Sequence, residues 1–433
     1  MSSKPTNFVP DYSATPFSLD LSLLPESCTI FTNCRLCIGG RLTPTKSAII
    51  VSNATGQLDE VFTNQSGVTV SGNSKNGAEV VDLHNAIVAP GFIELQTNGL
   101  RGFHFTHFTD KDTYAAELDK VSTYLPSTGV TGFYATLPTV ASDEFKRILP
   151  SLAPTDIEGG ASLLGAHAEG PYLHPSKKGA HNSSLFHQAV TPPVEVYGDI
   201  ATNDSTLKLV TIAPELENAN SLISDLVSKD IRVSLGHSNA SYAEGLSALE
   251  AGATCLTHTL NAMAPLHHRD PGLAGLVTAA PPTTPHSPWF SIIPDGNHLH
   301  PSMATMLFRS NPEKCILITD SIELAGLEDG TYPGHSQIPF RQTKKGSRVV
   351  IEGTETLIGG CASLSECVRN LMQWSGCGIA EAVKCVTENV VEFMGDEQRG
   401  RLEAWRRADF VVMDDEANVM ETWVGGKRVW KEV

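Results

Sequence analysis

Residues 162–171 read SLLGAHAEGP, an apolar run that stops at two chemically active side chains and a turn. The run has no alternation of polar and apolar residues, which is typical of a strand buried on both faces of a parallel sheet. Gly170 and Pro171 then end it. His167 and Glu169 therefore stand at the C-terminal end of a predicted strand, which is where parallel-sheet enzymes carry their functional residues.

Seven further apolar runs of the same character lie on either side of this one. With it they are residues 91–95 (GFIEL), 130–135 (VTGFYA), 162–166 (SLLGA), 207–212 (LKLVTI), 231–235 (IRVSL), 253–256 (ATCL), 289–293 (WFSII) and 315–319 (CILIT). Helical patterns lie between many of them, and the clearest begins at a capping box of Ser241 and Glu244 and ends at Gly252. Residues 218–230 and 301–310 are further helix candidates. Eight buried strands that alternate with helices predict an α/β fold, a TIM-like (β/α)8 barrel.

The two ends of the chain have a different character. Residues 28–88 and 395–433 contain short β-like runs separated by Gly, Asn and Ser turns. We therefore predict a small β-sandwich domain built from both ends, around a catalytic barrel that spans residues 89–394. A polar, Pro-containing arm at residues 1–27 precedes it, and residues 281–288 form a Pro-rich loop.

Composition narrows the class of protein. The 433 residues contain 31 Lys and Arg against 48 Asp and Glu, a net charge of −17, which argues against nucleic acid or an anionic membrane as partner. The apolar content is that of a globular chain, no apolar run reaches 18 residues, and residues 1–20 lack the apolar core of a signal peptide. The 9 dispersed cysteines are typical of reduced thiols, so we expect a cytoplasmic location.

Polar and titratable side chains follow the predicted strands at their C-terminal ends. In chain order they are Gln96 and Asn98, His167 and Glu169, His237, His258, Asp295 and His298, and Asp320. One carboxylate and two imidazoles from different strands suit Zn²⁺ or a similar divalent ion with one position left for water. A carboxylate after the last strand could then take a proton from that water.

The wording of the motifs points to a family. The sequence PGFIELQTNG at residues 90–99 resembles the first-strand motif of amidohydrolases, in the variant that lacks a His-x-His pair. The other motifs are HAEGPY at 167–172 with KGAHN at 178–182, GHSNA at 236–240, THTLNAM at 257–263 and DPGLAG at 270–275. Together, and in this order, they resemble the N-acetylglucosamine-6-phosphate deacetylases of the amidohydrolase superfamily, from about residue 29 to the C-terminus.

The resemblance implies a role for each motif residue. Glu169, His237 and His258 would bind the metal, Asp320 would be the general base and then the acid, and His181 would hold and polarise the acetyl carbonyl. Substrate contacts would come from Ala180, His181, Asn261, Ala262, Arg269, His298, Leu357, Ile358 and Gly359. Gln96 and Asn98 stand where two-metal relatives carry ligands, and neutral amides are poor zinc ligands. We therefore expect one divalent ion per subunit, with Zn²⁺ favoured.

The expected reaction is the metal-dependent deacetylation of N-acetyl-D-glucosamine 6-phosphate, in amino sugar catabolism. The family places Arg269 near a dimer interface, so a homodimer is expected. Two alternatives stay open: another amidohydrolase that acts on a cyclic amide, a dipeptide or another acyl-sugar, and a non-catalytic assembly protein with the same fold. The presence of Glu169, His237, His258 and Asp320 argues against the second alternative.

Overall fold

The structure is a computed structural model that describes residues 17–20, 27–43, 47–63, 68–71, 78–203, 205–279 and 287–433. Most of the polar arm and of the Pro-rich loop lies outside these residues. None of the helices that the described residues form has the length and hydropathy needed to span a membrane.

The N-terminal part of the chain is built of strands. They are β1 (Phe17–Asp20), β2 (Cys28–Ile38), β3 (Arg41–Leu42), β4 (Ser47–Ser52), β5 (Leu58–Phe62), β6 (Val68–Ser71), β7 (Glu79–Asp82) and β8 (Ile87–Pro90). The long strand β2 is the centre, because its first half pairs with β4 and β7 and its second half with β8. The register shifts between Phe31 and Cys34, where Asn33 has a positive φ of 53°. This irregularity lets one strand serve two groups of neighbours.

A parallel eight-stranded sheet follows, and its strands match the eight apolar runs. They are β9 (Phe92–Thr97), β12 (Val130–Pro138), β13 (Ser162–Glu169), β14 (Leu207–Ile212), β15 (Arg232–Leu235), β16 (Cys255–Leu256), β17 (Trp289–Ile292) and β18 (Cys315–Leu317). A short hairpin of β10 (Gly99–Leu100) and β11 (Phe103–His104) comes directly after β9. The neighbours in the large sheet follow chain order from β9 to β18, and all pairs are parallel.

The first and last strands of this sheet meet at their C-terminal ends. The Asp320 N–H donates to the Gln96 carbonyl at 2.9 Å, and the Asn98 N–H donates to the Ser321 carbonyl at 2.8 Å. Thr97 and Ser321 also form a parallel bridge. The sheet therefore curls back on itself in the manner of a TIM-like barrel, and these contacts place the segments after β9 and β18 side by side.

Helices connect the barrel strands. They are α1 (Lys111–Tyr124), α2 (Ser142–Ile148), α3 (Pro193–Tyr197), α4 (Ile200–Asn203), α5 (Ala219–Ser228), α6 (Tyr242–Glu250), α7 (Pro301–Ser310), α8 (Leu364–Ser375), α9 (Ile379–Lys384) and α10 (Glu388–Met394). The capping box predicted at the start of α6 is confirmed, since Ser241 and Glu244 satisfy each other's backbone N–H groups. The other two helix predictions correspond to α5 and α7.

Two hydrophobic clusters show that successive side chains of the barrel strands point alternately into the barrel and towards the surrounding helices. Ile93, Leu95, Leu209 and Ile316 pack inside the barrel with residues of α10, so this helix closes one end of the interior. The outward side chains of the same strands, such as Phe92, belong to the larger cluster that includes the surrounding helices. Burial on both faces explains why the strands lack a polar alternation.

A four-stranded antiparallel sheet follows the barrel strands and was not predicted. Its strands are β19 (Gly330–Tyr332), β20 (Gln342–Lys345), β21 (Arg348–Ile351) and β22 (Leu357–Gly360). Polar strands such as β20, with the sequence QTKK, lack the apolar pattern from which a strand is inferred.

The chain ends by completing the N-terminal sheet. The last strands are β23 (Phe410–Met413), β24 (Val419–Val424) and β25 (Lys427–Lys431), and β23 pairs with β8 in antiparallel fashion. Strands from both chain ends thus share one connected sheet, in the order β25-β24-β23-β8-β2-β4-β5. Because β8 leads directly into β9, this sheet is joined to the first barrel strand.

Candidate active site

A buried carboxylate and two imidazoles meet inside the C-terminal end of the barrel. Glu169 ends β13, His237 follows β15 and His258 follows β16. Oε1 of Glu169 lies 2.9 Å from Nε2 of His258 and 3.3 Å from Nε2 of His237, and the two nitrogens are 3.1 Å apart. Each of the three residues is at most 4% exposed.

The hydrogen bonds of His237 fix its protonation. Its Nδ1 lies 2.8 Å from the Lys177 carbonyl, which can only accept, so Nδ1 carries the proton and the lone pair of Nε2 faces Glu169. Burial alone would raise the pKa of Glu169, but His181, His237 and His258 together hold that pKa well below its usual value. An ionised carboxylate and a lone pair from an oriented imidazole are the donor set of a zinc site.

His181 lies on the other side of the same carboxylate but presents a proton. The Thr139 backbone N–H donates to Nδ1 of His181 at 3.2 Å, so the neutral ring carries its proton on Nε2, which lies 3.5 Å from Oε2 of Glu169. Glu169, His181 and His237 also offer ligand atoms within 4.8 Å of one another. The tautomer distinguishes the two histidines, because His237 presents a lone pair and His181 a donor.

Asp320 follows β18 and is held beside this cluster by two amides. Its Oδ1 accepts from Nε2 of Gln96 at 3.2 Å and from Nδ2 of Asn98 at 2.8 Å. Nε2 of Gln96 also donates to Oε1 of Glu169 at 2.9 Å. Both amides, Gln96 and Asn98, therefore act as hydrogen-bond donors to carboxylates here.

Several of these residues have strained backbones. The φ values of Asp320, His237 and His258 are 46°, 49° and 29°, in a region that non-glycine residues rarely adopt. Such conformations cost on the order of 1–3 kcal/mol each and concentrate at functional sites, where the surrounding structure holds them.

A cavity opens over the cluster. It is lined by Asn98, His104, Pro138, Glu169, Gly179, Ala180, His181, His237, His258, Asn261, Ala262, His298, Asp320, Ile322, Gln337, Ile338, Leu357, Ile358 and Gly359. Of the residues predicted to contact substrate, Arg269 is outside this set. It is exposed on the loop that precedes Asp270, and its contact with the phosphate stays a prediction.

Sequence reasoning gave Asp295 no role, yet it holds His298 in place. Its Oδ2 lies 2.8 Å from Nδ1 of His298, and its Oδ1 accepts from the His298 backbone N–H at 2.8 Å. The signal was the spacing of Asp295 and His298 after a strand. Residues His104, Ile322, Gln337 and Ile338 were also missed, because they lie on the hairpin after β9 and on the inserted segment after β18.

Comparisons with known proteins agree with this geometry. No protein-family profile matches the chain. It is 36% identical over 418 residues to the N-acetylglucosamine-6-phosphate deacetylase of Caenorhabditis elegans, which covers 95% of this chain and 97% of that protein. The human enzyme of the same name is 32% identical, with 93% and 95% covered.

Solved structures give the same picture. A mutant of the N-acetyl-D-glucosamine-6-phosphate deacetylase from Mycobacterium smegmatis, in complex with N-acetyl-D-glucosamine-6-phosphate, has a TM-score of 0.78 at 26% identity, with 93% of this chain and 99% of that chain covered.

The sequence is also similar to that of an enzyme with a different name. An N-acetylgalactosamine-6-phosphate deacetylase of Escherichia coli O157:H7 is 30% identical over 79% of this chain and 87% of its own length.

Proposed function

The chain belongs to the N-acetylglucosamine-6-phosphate deacetylase family, and we propose that it hydrolyses N-acetyl-D-glucosamine 6-phosphate to D-glucosamine 6-phosphate and acetate, in amino sugar catabolism. One observation carries the proposal. The cluster of Glu169, His237 and His258, the carboxylate of Asp320 and the imidazole of His298 line one cavity. Such a cavity can take an amide at one end and a charged group at the other.

We propose one divalent metal ion per subunit, with Zn²⁺ favoured, held by Glu169, His237 and His258. When bound, such an ion polarises a carbonyl and makes water acidic enough to lose a proton near neutral pH. Gln96 and Asn98 support a single ion, because both donate to carboxylates already at the site. Elemental analysis of desalted, active protein should give one equivalent per chain, whereas two equivalents that are both required would contradict the proposal.

Asp320 and His181 would carry out the proton and charge chemistry. Asp320 accepts a proton from the attacking water and later returns it to the leaving nitrogen, because an amine anion is a very poor leaving group. The Nε2–H of His181 donates to the acetyl carbonyl oxygen and stabilises the negative charge that develops there. The Thr139 N–H bond to Nδ1 keeps that proton on the side facing the cavity.

The other end of the cavity would bind the sugar phosphate. Asn261, Ala262 and His298 supply polar groups, and the segment Leu357–Gly360 offers backbone and apolar contacts. The Asp295 carboxylate accepts from Nδ1 of His298 and fixes the orientation of the ring, so that the imidazolium form would donate from Nε2 to the phosphate.

Arg269 would contribute through a homodimer. It is exposed and outside the cavity of its own chain, so a phosphate contact requires a second chain. Its planar guanidinium suits bidentate phosphate binding. Size-exclusion chromatography with light scattering should give a dimer, and Arg269→Glu should weaken it or its phosphate binding.

The same proposal extends to organisation and location. Residues 28–88 and 395–433 would form a β-sandwich around the barrel of residues 89–394, which is supported by the edge-to-face contacts of Phe31 with Phe410 and Trp423. A cytoplasmic location is supported by nine free cysteines. Limited proteolysis and imaging of a tagged full-length chain would test these two points.

The decisive experiment is a deacetylase assay. Purified protein is incubated with N-acetylglucosamine 6-phosphate, with and without a chelator, and free amine is measured. Chelator-sensitive release is expected, and its absence with metal-replete protein would reject the proposal. A second candidate substrate is the C4 epimer, N-acetylgalactosamine 6-phosphate, after which the E. coli relative is named. Equal turnover of unphosphorylated N-acetylglucosamine would instead indicate another type of amidohydrolase.

A further inference from the structure

His104 stands at the end of the β10–β11 hairpin and lines the cavity, although it is only 3% exposed. It belongs neither to the proposed metal ligands Glu169, His237 and His258, here called the metal cluster, nor to the groups proposed for the phosphate. Burial of a polar group without a hydrogen-bond partner costs free energy. A buried imidazole at the wall of a substrate cavity therefore indicates a partner, either in the protein or in a ligand.

The protonation of His104 follows from its neighbour. The Thr106 backbone N–H donates to Nδ1 at 3.2 Å, and a backbone N–H cannot accept. Nδ1 is therefore unprotonated, and the neutral ring carries its proton on Nε2. Burial also lowers the pKa of His104 to about 3, so the ring stays neutral near neutral pH. The side chain thus presents a fixed N–H donor.

This donor has no partner among the described residues. No described residue forms a hydrogen bond with Nε2 of His104. This nitrogen is not completely enclosed by protein atoms either, so it is accessible from the cavity that the ring lines. Asn98, another polar residue that lines the cavity, already donates to Asp320. His104 and Gln337 are the cavity-lining polar side chains left for the rest of a ligand.

A cluster of buried and half-buried groups keeps the His104 ring in place. Its centroid lies 5.3 Å from that of His107 and 5.4 Å from that of His335, and His335 lies 3.2 Å from the buried carboxylate of Glu323. Gln342 of the inserted sheet donates to the same carboxylate at 3.0 Å. The hairpin, the segment after β18 and the inserted sheet are therefore tied together behind the ring.

We propose that His104 donates a hydrogen bond from Nε2 to a ring hydroxyl group on the C3–C4 edge of the bound hexosamine phosphate and so determines which epimer the enzyme prefers. This inference rests on the proposed function. With the acetamido group at C2 beside the metal cluster and the phosphate on C6 beside His298, the two ring edges C3–C4 and C1–O5 span the gap between them. The C3–C4 edge is the one that carries the hydroxyl group by which the C4 epimers differ. A site built to bond a hydroxyl group rejects an analogue that lacks it or presents it elsewhere.

The test compares His104→Leu, which removes the donor, with His104→Gln, which retains an N–H donor. His107→Gln is the matched control, because His107 belongs to the same cluster but does not line the cavity. Each metal-replete variant is assayed for kcat/KM on N-acetylglucosamine 6-phosphate, its C4 epimer, and its 3-deoxy and 4-deoxy analogues. Circular dichroism and metal content are checked first.

We expect His104→Leu to lower kcat/KM on the parent substrate by roughly 2- to 12-fold and to narrow the preference between epimers. The loss should vanish on one of the two deoxy analogues, and His104→Gln should recover part of it. Equal losses on all four compounds, or the same pattern in His107→Gln, would overturn the inference. If His104→Leu does not fold, wild-type protein alone tests the inference. Turnover of both deoxy analogues with the same kcat/KM as the parent would then overturn it.

The outcomes separate this inference from the proposed function. If wild-type protein deacetylates none of the four compounds, the proposed function fails. If it deacetylates the parent normally and His104→Leu has no selective effect, only the role of His104 fails.

Discussion

The two halves of the cavity are built in different ways. In one half, Glu169, His237, His258 and Asp320 come from the ends of barrel strands, and backbone ladders and side-chain hydrogen bonds fix them. In the other half, His104, His298 and the segment Leu357–Gly360 come from a hairpin, a loop and the inserted sheet.

This difference separates chemistry from recognition. The strand-end half depends on the barrel itself, so any change there affects the reaction for every substrate. The loop half depends on a few local contacts, such as that of Asp295 with His298 and that of Glu323 with His335, so it can change without moving the metal cluster. The predictions below test whether the two halves are independent.

The largest effect should come from Glu169→Gln in the strand-end half. The amide cannot offset the charge of a divalent ion, so bound metal should be lost and kcat/KM should fall by at least about 10³-fold, since Lewis-acid help is worth several kcal/mol. Inductively coupled plasma analysis and the amine assay measure both. Glu94→Gln is a matched control, because burial raises the pKa of Glu94 to about 8 and its carboxyl is already protonated near pH 7. Retention of metal in Glu169→Gln would remove Glu169 from the ligand set.

Asp320→Asn should leave the metal in place and remove the base. The amide cannot accept the proton of water, so kcat should fall about 10²- to 10⁴-fold while metal content stays that of wild-type protein. Parallel measurements of kcat and metal content check this prediction. A metal-replete variant with near-normal kcat would exclude Asp320 from the proton transfers.

Arg269→Ala tests phosphate recognition at the loop half, to which a second chain of the proposed homodimer would contribute this residue, and should spare the chemistry. A charge-assisted hydrogen bond contributes about 1.5–3 kcal/mol, so kcat/KM on the phosphorylated sugar should fall roughly 10- to 150-fold, mainly through KM. Arg428→Ala, at an exposed arginine of the last strand, is the control and should leave KM unchanged. The same loss on unphosphorylated N-acetylglucosamine would show that Arg269 does not recognise the phosphate.

The smallest effect concerns stability and Glu323, behind the loop half. Burial alone would raise the pKa of Glu323. The opposing effect of its neighbours is larger and lowers that pKa to about 2, and these neighbours are His335, His104 and Gln342. The unfolded carboxyl titrates near 4.5, so its contribution to stability is present above pH 4.5 and is lost as the pH falls towards 2.

Glu323→Gln should therefore lower Tm by a few degrees at pH 7, and this difference should shrink as the pH falls below 4.5. Differential scanning calorimetry at several pH values measures it. Glu352→Gln removes an exposed carboxylate from the turn that follows β21 and should show little difference at any pH. A Tm difference for Glu323→Gln that does not depend on pH would contradict the role of its charge.

The barrel and the metal cluster were accessible from sequence because each barrel strand is a short apolar run that ends in polar residues. The runs at 162–166 and 315–319 fall on β13 and β18, and the residues that follow them meet at one end of the sheet. Strand ends converge in a parallel sheet whatever the loops do, so the proximity of Glu169 to His258 follows from topology alone.

The loop half was less accessible for physical reasons. β20 is polar and carries no hydrophobic alternation, so neither the inserted sheet nor the position of Gln342 follows from pattern. His104 was missed because a hairpin of two-residue strands has no periodicity. Arg269 has the right chemistry for a phosphate, but composition and spacing do not indicate whether a loop residue faces its own cavity.

The pairing of β8 with β23 has a consequence for the way the protein is made. Pro90 lies opposite Phe410, and Val88 lies opposite Val412, so the strand that leads into the barrel waits for its second neighbour until residues 410–413 have been synthesised. At about 5–20 residues per second, that interval is on the order of tens of seconds. Once Asp320 has been added, the nascent protein carries every proposed catalytic side chain together with an open sheet edge, which is a template for association with other chains. A messenger truncated shortly before the codon for Phe410 would therefore yield a chain with a complete active-site sequence whose main hazard is aggregation.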